Sequence, residues 1–259
     1  MNKLYYALMV LGVLTSCANT YSIQGTSNVS TLDGRMLFLK VMKSNDLKNV
    51  DSCEVIHGQF HFSGTIDTTT MATIFMDDES IMPIVLEDGD IAIKLDNTQR
   101  AVSGTPLNDK LFEFIDLYTQ LQNQVNELGH KQSQAIMDGE DEKLINERLM
   151  REANVIAQRE DSLVTSFITD NFDNVLGPGV FMMMTAVYRY PELTPWIEDI
   201  MSKATDKFKS DPYVKDYYLK AQENQAILNG MAEPAAATPP AAPVASPGVR
   251  LPVDSLRGN

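Results

Sequence analysis

Two cysteines, three histidines and a few dense acidic runs are the side chains of this 259-residue sequence whose chemistry could go beyond packing. The cysteines, Cys17 and Cys53, stand far apart, so there is no Cys-x-x-Cys pair. Cys53, His57 and His61 are of types that bind zinc or copper, but the pattern puts His57 in a turn and His61 on the outward face of the next strand. No fourth ligand accompanies them, and neither a metal nor any other cofactor is expected. Cys53 shares a strand face with Val55 and reads as a small buried hydrophobe; the other reading is a free thiol that links to a partner. Asp77-Asp78-Glu79 and the run from Asp138 to Glu142 are rich in oxygen but lack the spaced ligands of a calcium loop, so they read as solvated turns. Met182, Met183 and Met184 are consecutive on a helical stretch and point in different directions, which suits a core better than a copper site. Trp196 and its neighbouring tyrosines could stack a sugar, yet they occupy helical positions suited to packing. No Ser-His-Asp or Cys-His arrangement is recognisable, so no catalytic residue is assigned and an enzyme is not expected.

The start of the chain carries the most specific signal. Lys3 precedes an apolar run at residues 4–13, too short to span a bilayer and of the kind that forms a signal segment. It ends in Leu14-Thr15-Ser16-Cys17, which resembles the lipobox of bacterial lipoproteins: an aliphatic residue, two small ones, then cysteine. The resemblance implies that residues 1–16 are removed as a signal peptide and that Cys17 is lipidated. With about 0.8 kcal/mol per buried CH₂, two or three acyl chains would hold the protein to a membrane. Ala18-Asn19-Thr20 brings no acidic cluster, so the expected place is the bacterial cell envelope, on the outer membrane facing the periplasm. A net charge of -14 repels phosphate backbones, which argues against nucleic acid as a partner.

Behind the anchor, residues 17–105 alternate short β-prone runs with turn residues, as an antiparallel β-sandwich does. Strands are expected at 21–24, 35–42, 50–55, 59–64, 72–76, 82–86, 91–95 and 101–103. His57-Gly58 joins two of them, and Asp88-Gly89 supplies the positive φ that tight hairpins favour. Phe60 and Phe62 should face inward, with Gln59, His61 and Ser63 outward. At Thr105 the period changes. Thr105 and Pro106 open a helix whose Leu107, Leu111, Phe114, Tyr118, Leu121, Val125 and Leu128 form one seam. Ile145, Leu149, Ala153, Ile156, Leu163 and Phe167 form a second, interrupted at Glu160. With a turn at Met137-Asp138-Gly139 between them, the pattern describes a long antiparallel hairpin that packs its own seams together, in preference to a seam shared with another subunit. Gly177-Pro178-Gly179 should break the helical pattern. Shorter helices then follow at 181–190, at 194–203 and from Asp211-Pro212 toward Asn229. The whole is an α+β chain: β-sandwich at 17–105, helical region at 106–232, and at 233–259 a Pro/Ala-rich tail too poor in apolar period to order itself.

Several elements occur in an order that resembles a known module. They are Tyr21-Ser22-Ile23-Gln24-Gly25, then Asp51-Ser52, then Gly58-Gln59-Phe60-His61-Phe62-Ser63-Gly64, then Leu86-Glu87-Asp88-Gly89, and last Ser103-Gly104-Thr105-Pro106-Leu107-Asn108-Asp109. The module is the domain of unknown function that precedes the thioredoxin-like domain of envelope-anchored thiol-disulfide oxidoreductases. In such relatives a Cys-x-x-Cys domain comes next; here the Pro/Ala-rich stretch stands in its place, and exchange that needs two neighbouring thiols is excluded for this chain acting alone. The expected function is therefore a non-enzymatic envelope lipoprotein that binds a partner protein or ligand. The alternatives are an accessory subunit that partners a separate thioredoxin-like oxidoreductase, and an unrecognised hydrolase.

Overall fold

A computed structural model describes residues 19–43, 46–97 and 99–231. The leader, Cys17 and the Pro/Ala-rich stretch lie outside those residues. Eight strands come first: β1 (Asn19–Ser27), β2 (Met36–Lys43), β3 (Asp46–Glu54), β4 (Gln59–Ile66), β5 (Thr70–Met76), β6 (Glu79–Leu86), β7 (Gly89–Leu95) and β8 (Arg100–Ser103). They form two four-stranded sheets, ordered β4-β1-β7-β8 and β3-β2-β5-β6. Alternation drives the pairing of the layers: Ile23, Leu37, Leu39, Phe62, Ile74 and Ile91 all turn inward and are buried. Phe60 and Phe62 point in, while Gln59, His61 and Ser63 face out.

Two details depart from the antiparallel, hairpin-linked sandwich that the sequence suggests. β1 pairs with β7 in parallel, Tyr21 opposite Gly89 and Ser27 opposite Leu95. His57-Gly58 is the tight turn expected, with Ile56 and Gln59 exchanging both backbone hydrogen bonds at 2.9 and 3.0 Å, although β3 and β4 then run in different sheets. Asp88-Gly89 also carries the chain from one sheet to the other, but as a corner and no hairpin. Its reason lies in the edge of β6, which has no room for another strand. Along the side facing away from β5, Arg100 donates to the Ile81 carbonyl, Pro83 has no N–H to offer, and the Asn108 side chain takes both the N–H and the C=O of Val85. A covered edge of this kind also blocks pairing with foreign strands.

Six helices follow: α1 (Pro106–Met137), α2 (Glu142–Thr169), α3 (Leu176–Thr185), α4 (Pro195–Lys203), α5 (Asp206–Ser210) and α6 (Pro212–Leu228). α1 and α2 make the expected hairpin, with Asp138 and Gly139 in the turn and Asp141 accepting from the Lys143 and Leu144 N–H groups to cap α2. Near the sandwich Leu111, Phe114 and Ile168 are buried and the Phe114 and Phe167 rings lie 4.4 Å apart. Farther out, Ala135, Ile145 and Leu149 close a small separate cluster with Leu128, and Val125 is exposed. Glu160, which interrupts the second seam, is half-buried and accepts a hydrogen bond from Tyr118. The hydroxyl satisfies the carboxylate that an apolar seam would otherwise leave stranded.

Gly177-Pro178-Gly179 does not break a helix; it forms the first turn of α3. Proline there loses no hydrogen bond, because the first turn's N–H groups have no partner within the helix. The glycines are needed for proximity. A Cβ on Gly177 would meet the Asn171 carbonyl, and one on Gly179 would lie 2.7 Å from the Met71 side chain of β5. α3 is thereby pressed against the sandwich, and Phe181, fully buried, gathers the rings of Trp196, Phe208, Tyr213 and Tyr217 around itself.

Candidate functional site

Cys53 lies on β3 opposite Leu37, half-buried and packed against the main core. Burial pushes its thiol pKa up to about 11, opposed by a hydrogen bond from the His61 backbone and reinforced by nearby Asp51. The thiol therefore stays protonated at neutral pH, the opposite of a reactive thiolate. His57 occupies a left-handed turn position (φ 52) and His61 points outward. Among the described residues no three or more His, Cys, Asp or Glu side chains gather as a metal site would require. The acidic runs have structural roles: Asp77 pairs with Arg35 in the β5–β6 turn, Glu140 pairs with Arg148 at 3.2 Å, and Asp141 caps α2. Met183 is buried, and the Trp196 indole N–H donates to Thr165 Oγ1 at 2.8 Å, so neither the methionines nor the tryptophan forms an open site.

Motif residues of the sandwich are absorbed by its construction. In the β1–β4 register Gly25 faces Phe60 and Tyr21 faces Gly64. Each ring lies over the partner strand's glycine: a Cβ on Gly25 would fall within the Phe60 ring, and one on Gly64 would lie 2.8 Å from the Tyr21 hydroxyl. Asp51 accepts from the Ser52 and Ser63 N–H groups, at 2.8 and 3.3 Å, and so ties β3 to β4 across the sheets.

At the junction with α1 sits a buried polar node. Glu87 Oε1 accepts from the N–H groups of Leu107 (2.9 Å) and Asn108 (3.0 Å), which cap the helix from outside its own sequence. A carboxylate there also meets the positive end of the helix dipole. Thr105 adopts the extended N-cap conformation but its hydroxyl makes no cap bond; it accepts instead from Asn108 Nδ2 at 2.8 Å. Asn108 is fully buried and bonds Val85 on both backbone groups, at 2.9 and 2.8 Å. Asp109 accepts from the Gly104 N–H at 3.1 Å. No buried side-chain nitrogen or oxygen here lacks a partner, so the node fixes the helix on the sandwich.

What remains is a groove in the helical half that sequence reasoning did not find. It has a volume of about 520 Å³ and runs between residues 190–194, which link α3 to α4, and the last two turns of α6. Tyr190, Pro191, Leu193, Ala221, Ile227 and Leu228 supply most of its wall. The linker is held in place: Asn224 Nδ2 donates to the Pro191 carbonyl at 2.8 Å, and the Tyr217 hydroxyl accepts from the Glu192 N–H (3.3 Å) and reaches its carbonyl (3.4 Å). Of the wall residues Tyr190 is 63% and Leu228 80% exposed, and Val187, Tyr188 and Met231, close to them in sequence, are exposed as well. Isolated exposed apolar residues need no explanation, but a concave group of them on a pinned backbone is the form that binding surfaces take. The signal was present in the sequence as Val187-Tyr188-Arg189-Tyr190-Pro191, read there as the tail of a helix.

Residues 21–111 match the family model described as Domain of unknown function (DUF4369). The match covers the strands from β1 to β8 and ends at Leu111 in the second turn of α1, so it includes the polar node and excludes the groove. Comparison with curated proteins finds no match.

Proposed function

We propose that this chain is a non-enzymatic interaction module of the bacterial cell envelope, held to the outer membrane by lipid on Cys17, which binds an extended segment of a partner protein in the α6 groove. The observation that carries the reading is the groove itself: apolar, lined by tyrosine and proline, pre-shaped by Asn224 and Tyr217, and free of any catalytic constellation. Grooves of this kind bind through a few aromatic and aliphatic anchors, with polar groups at the rim setting direction. A part in thiol-disulfide exchange draws no support from Cys53, a protonated and half-buried thiol.

The test uses cells carrying the full chain with a photo-crosslinking amino acid in place of Gln225. The reading expects one discrete adduct with an envelope protein, lost in Leu228→Glu and kept in a variant of equal charge on the sandwich, Val50→Glu. Adducts that are indifferent to Leu228→Glu would overturn it. Intact-mass measurement of the protein from its native envelope tests the anchor separately: acyl mass on an amino-terminal Cys17 peptide is expected, and a chain beginning elsewhere refutes it.

A further inference from the structure

A second concave surface lies on the helical hairpin and shares no residue with the α6 groove. Beyond Tyr118 the two helices fully bury only Ala135, Ile145, Leu149 and Ile156, which leaves much of the pair open to solvent. A groove of about 390 Å³ runs between them there, with Leu128, Val155 and Ile156 as its apolar lining. Its edges are charged. Lys131 on the α1 side is already spent on Glu152, reaching it across the groove at 2.7 Å. On the α2 side stand Arg151 and Arg159, with Val155 midway between them. Two turns of helix separate the arginines by about 12 Å along the axis. Both are exposed, and both have nothing to hold. The other described arginines are engaged: Arg35 with Asp77, Arg148 with Glu140, Arg100 with the Ile81 carbonyl and Arg189 with the Tyr190 ring. Among the described residues Arg151 and Arg159 have no ion pair, hydrogen bond or ring contact, in a chain with 35 acidic side chains against 21 basic ones.

We propose that the hairpin groove docks an acidic amphipathic helix of a partner protein, laid along α1 and α2 as the third helix of a bundle, with carboxylates two turns apart on Arg151 and Arg159. Two antiparallel helices present a straight furrow that receives the side chains of a third, and aliphatic residues on its inner face would cover Leu128, Val155 and Ile156. A spacing of about 12 Å is beyond the reach of one small anion, so the ligand is a chain that repeats its charge. Guanidinium groups pair with carboxylates through two parallel hydrogen bonds, which also fixes the register of the helix. Glu127, on the α1 edge, repels a carboxylate there, so the partner's acidic stripe runs over α2 alone and sets its orientation. A second copy of this chain fits less well: Lys131, Arg151 and Arg159 outnumber Glu127 and Glu152, and a copy would add the same positive surplus.

The experiment titrates the purified full chain into two labelled synthetic helices of about three heptads, alike in their leucine seam but carrying glutamate or lysine along one flank, and reads fluorescence anisotropy. The glutamate helix is expected to bind about tenfold more tightly, equivalent to about 1.4 kcal/mol, and Arg151→Glu combined with Arg159→Glu to reverse the order. A net charge of -14 by itself favours the lysine helix, so the expected order runs against the charge of the whole chain. Both arginines are exposed, so the double variant keeps its fold, which circular dichroism checks. Equal affinities, no binding of the glutamate helix, or a preference that survives the double substitution overturn the proposal. A dimer in sedimentation velocity that the double substitution dissociates overturns it too, and names a second copy as the occupant. Leu228→Glu should leave the titration unchanged, so this surface and the α6 groove stand or fall separately.

Discussion

Replacing Asn108 by alanine should weaken this protein more than its single amide suggests. The side chain is fully buried and makes four contacts: Val85 N–H at 2.9 Å, Val85 C=O at 2.8 Å, Thr105 Oγ1 at 2.8 Å and Glu87 Oε1 at 3.3 Å. Glu87 keeps two backbone donors after the change, so the loss falls on Val85, whose N–H and C=O are left without partners on the covered edge of β6. Each stranded buried group costs about 1–3 kcal/mol, which places the total near 4 kcal/mol. Against a typical stability of about 5–15 kcal/mol this is a large share. With a urea dependence of about 2 kcal/mol per molar, the midpoint should fall by about 2 M. Trp196, the chain's only tryptophan, reports the helical half, and far-ultraviolet circular dichroism reports both halves. If the node welds α1 to the sandwich, both signals move together. A loss under about 1 kcal/mol, or a Trp196 transition that stays in place, would refute the assignment of Asn108 as the weld.

Other consequences follow from the same geometry. Gly25→Ala drives a methyl into the Phe60 ring and should cost about 3 kcal/mol in thermal or urea unfolding, with part of the loss recovered by Gly25→Ala combined with Phe60→Leu. The Cys53 thiol, with its pKa pushed up to about 11, should be alkylated slowly by iodoacetamide near pH 8 in the folded chain, at a rate that climbs as pH approaches that value. The unfolded thiol loses its proton near pH 8.5 while the folded one keeps it, so the thiol's contribution to stability is complete below about pH 8.5 and lost as pH rises toward 11. A comparison of urea midpoints for the natural chain and Cys53→Ser across that window reads this directly, and equal slopes would contradict it. Tyr118→Phe leaves Glu160 half-buried without its hydroxyl and should cost about 1–2 kcal/mol, whereas Tyr118→Phe with Glu160→Leu completes the apolar seam and should restore or exceed the starting stability in the same assay.

The division into sandwich and helices was legible because it rests on local period. Alternation at Phe60 and Phe62 and the three-and-four steps from Leu107 onward are properties of neighbouring residues, and all eight strands lie where those runs are. Connections were less legible. Asp88-Gly89 has the composition of a hairpin, but the partner that β6 would have needed is supplanted by Asn108, twenty-three residues from Val85. Gly177-Pro178-Gly179 has the composition of a break, yet its meaning comes from Asn171 and Met71, which only packing brings near. The same holds for capping: Thr105 has the residue type and the backbone of a cap, while the bonds are made by Glu87 from the preceding corner.

That pattern bears on where function should be sought. The residues that carry the likeness to the domain of unknown function are consumed by the fold: Gly25 and Gly64 make room for rings, Asp51 joins the sheets, and Glu87, Asn108 and Asp109 seat the helix. These residues hold the two sheets together and seat the helix, so the likeness accounts for the construction of a scaffold. The surface with unspent apolar area lies instead around Tyr190 and Leu228, beyond the matched segment. If the groove is the binding surface, what this chain binds should follow the sequence of residues 186–231, which lie beyond the matched segment and can change without disturbing the node that holds them.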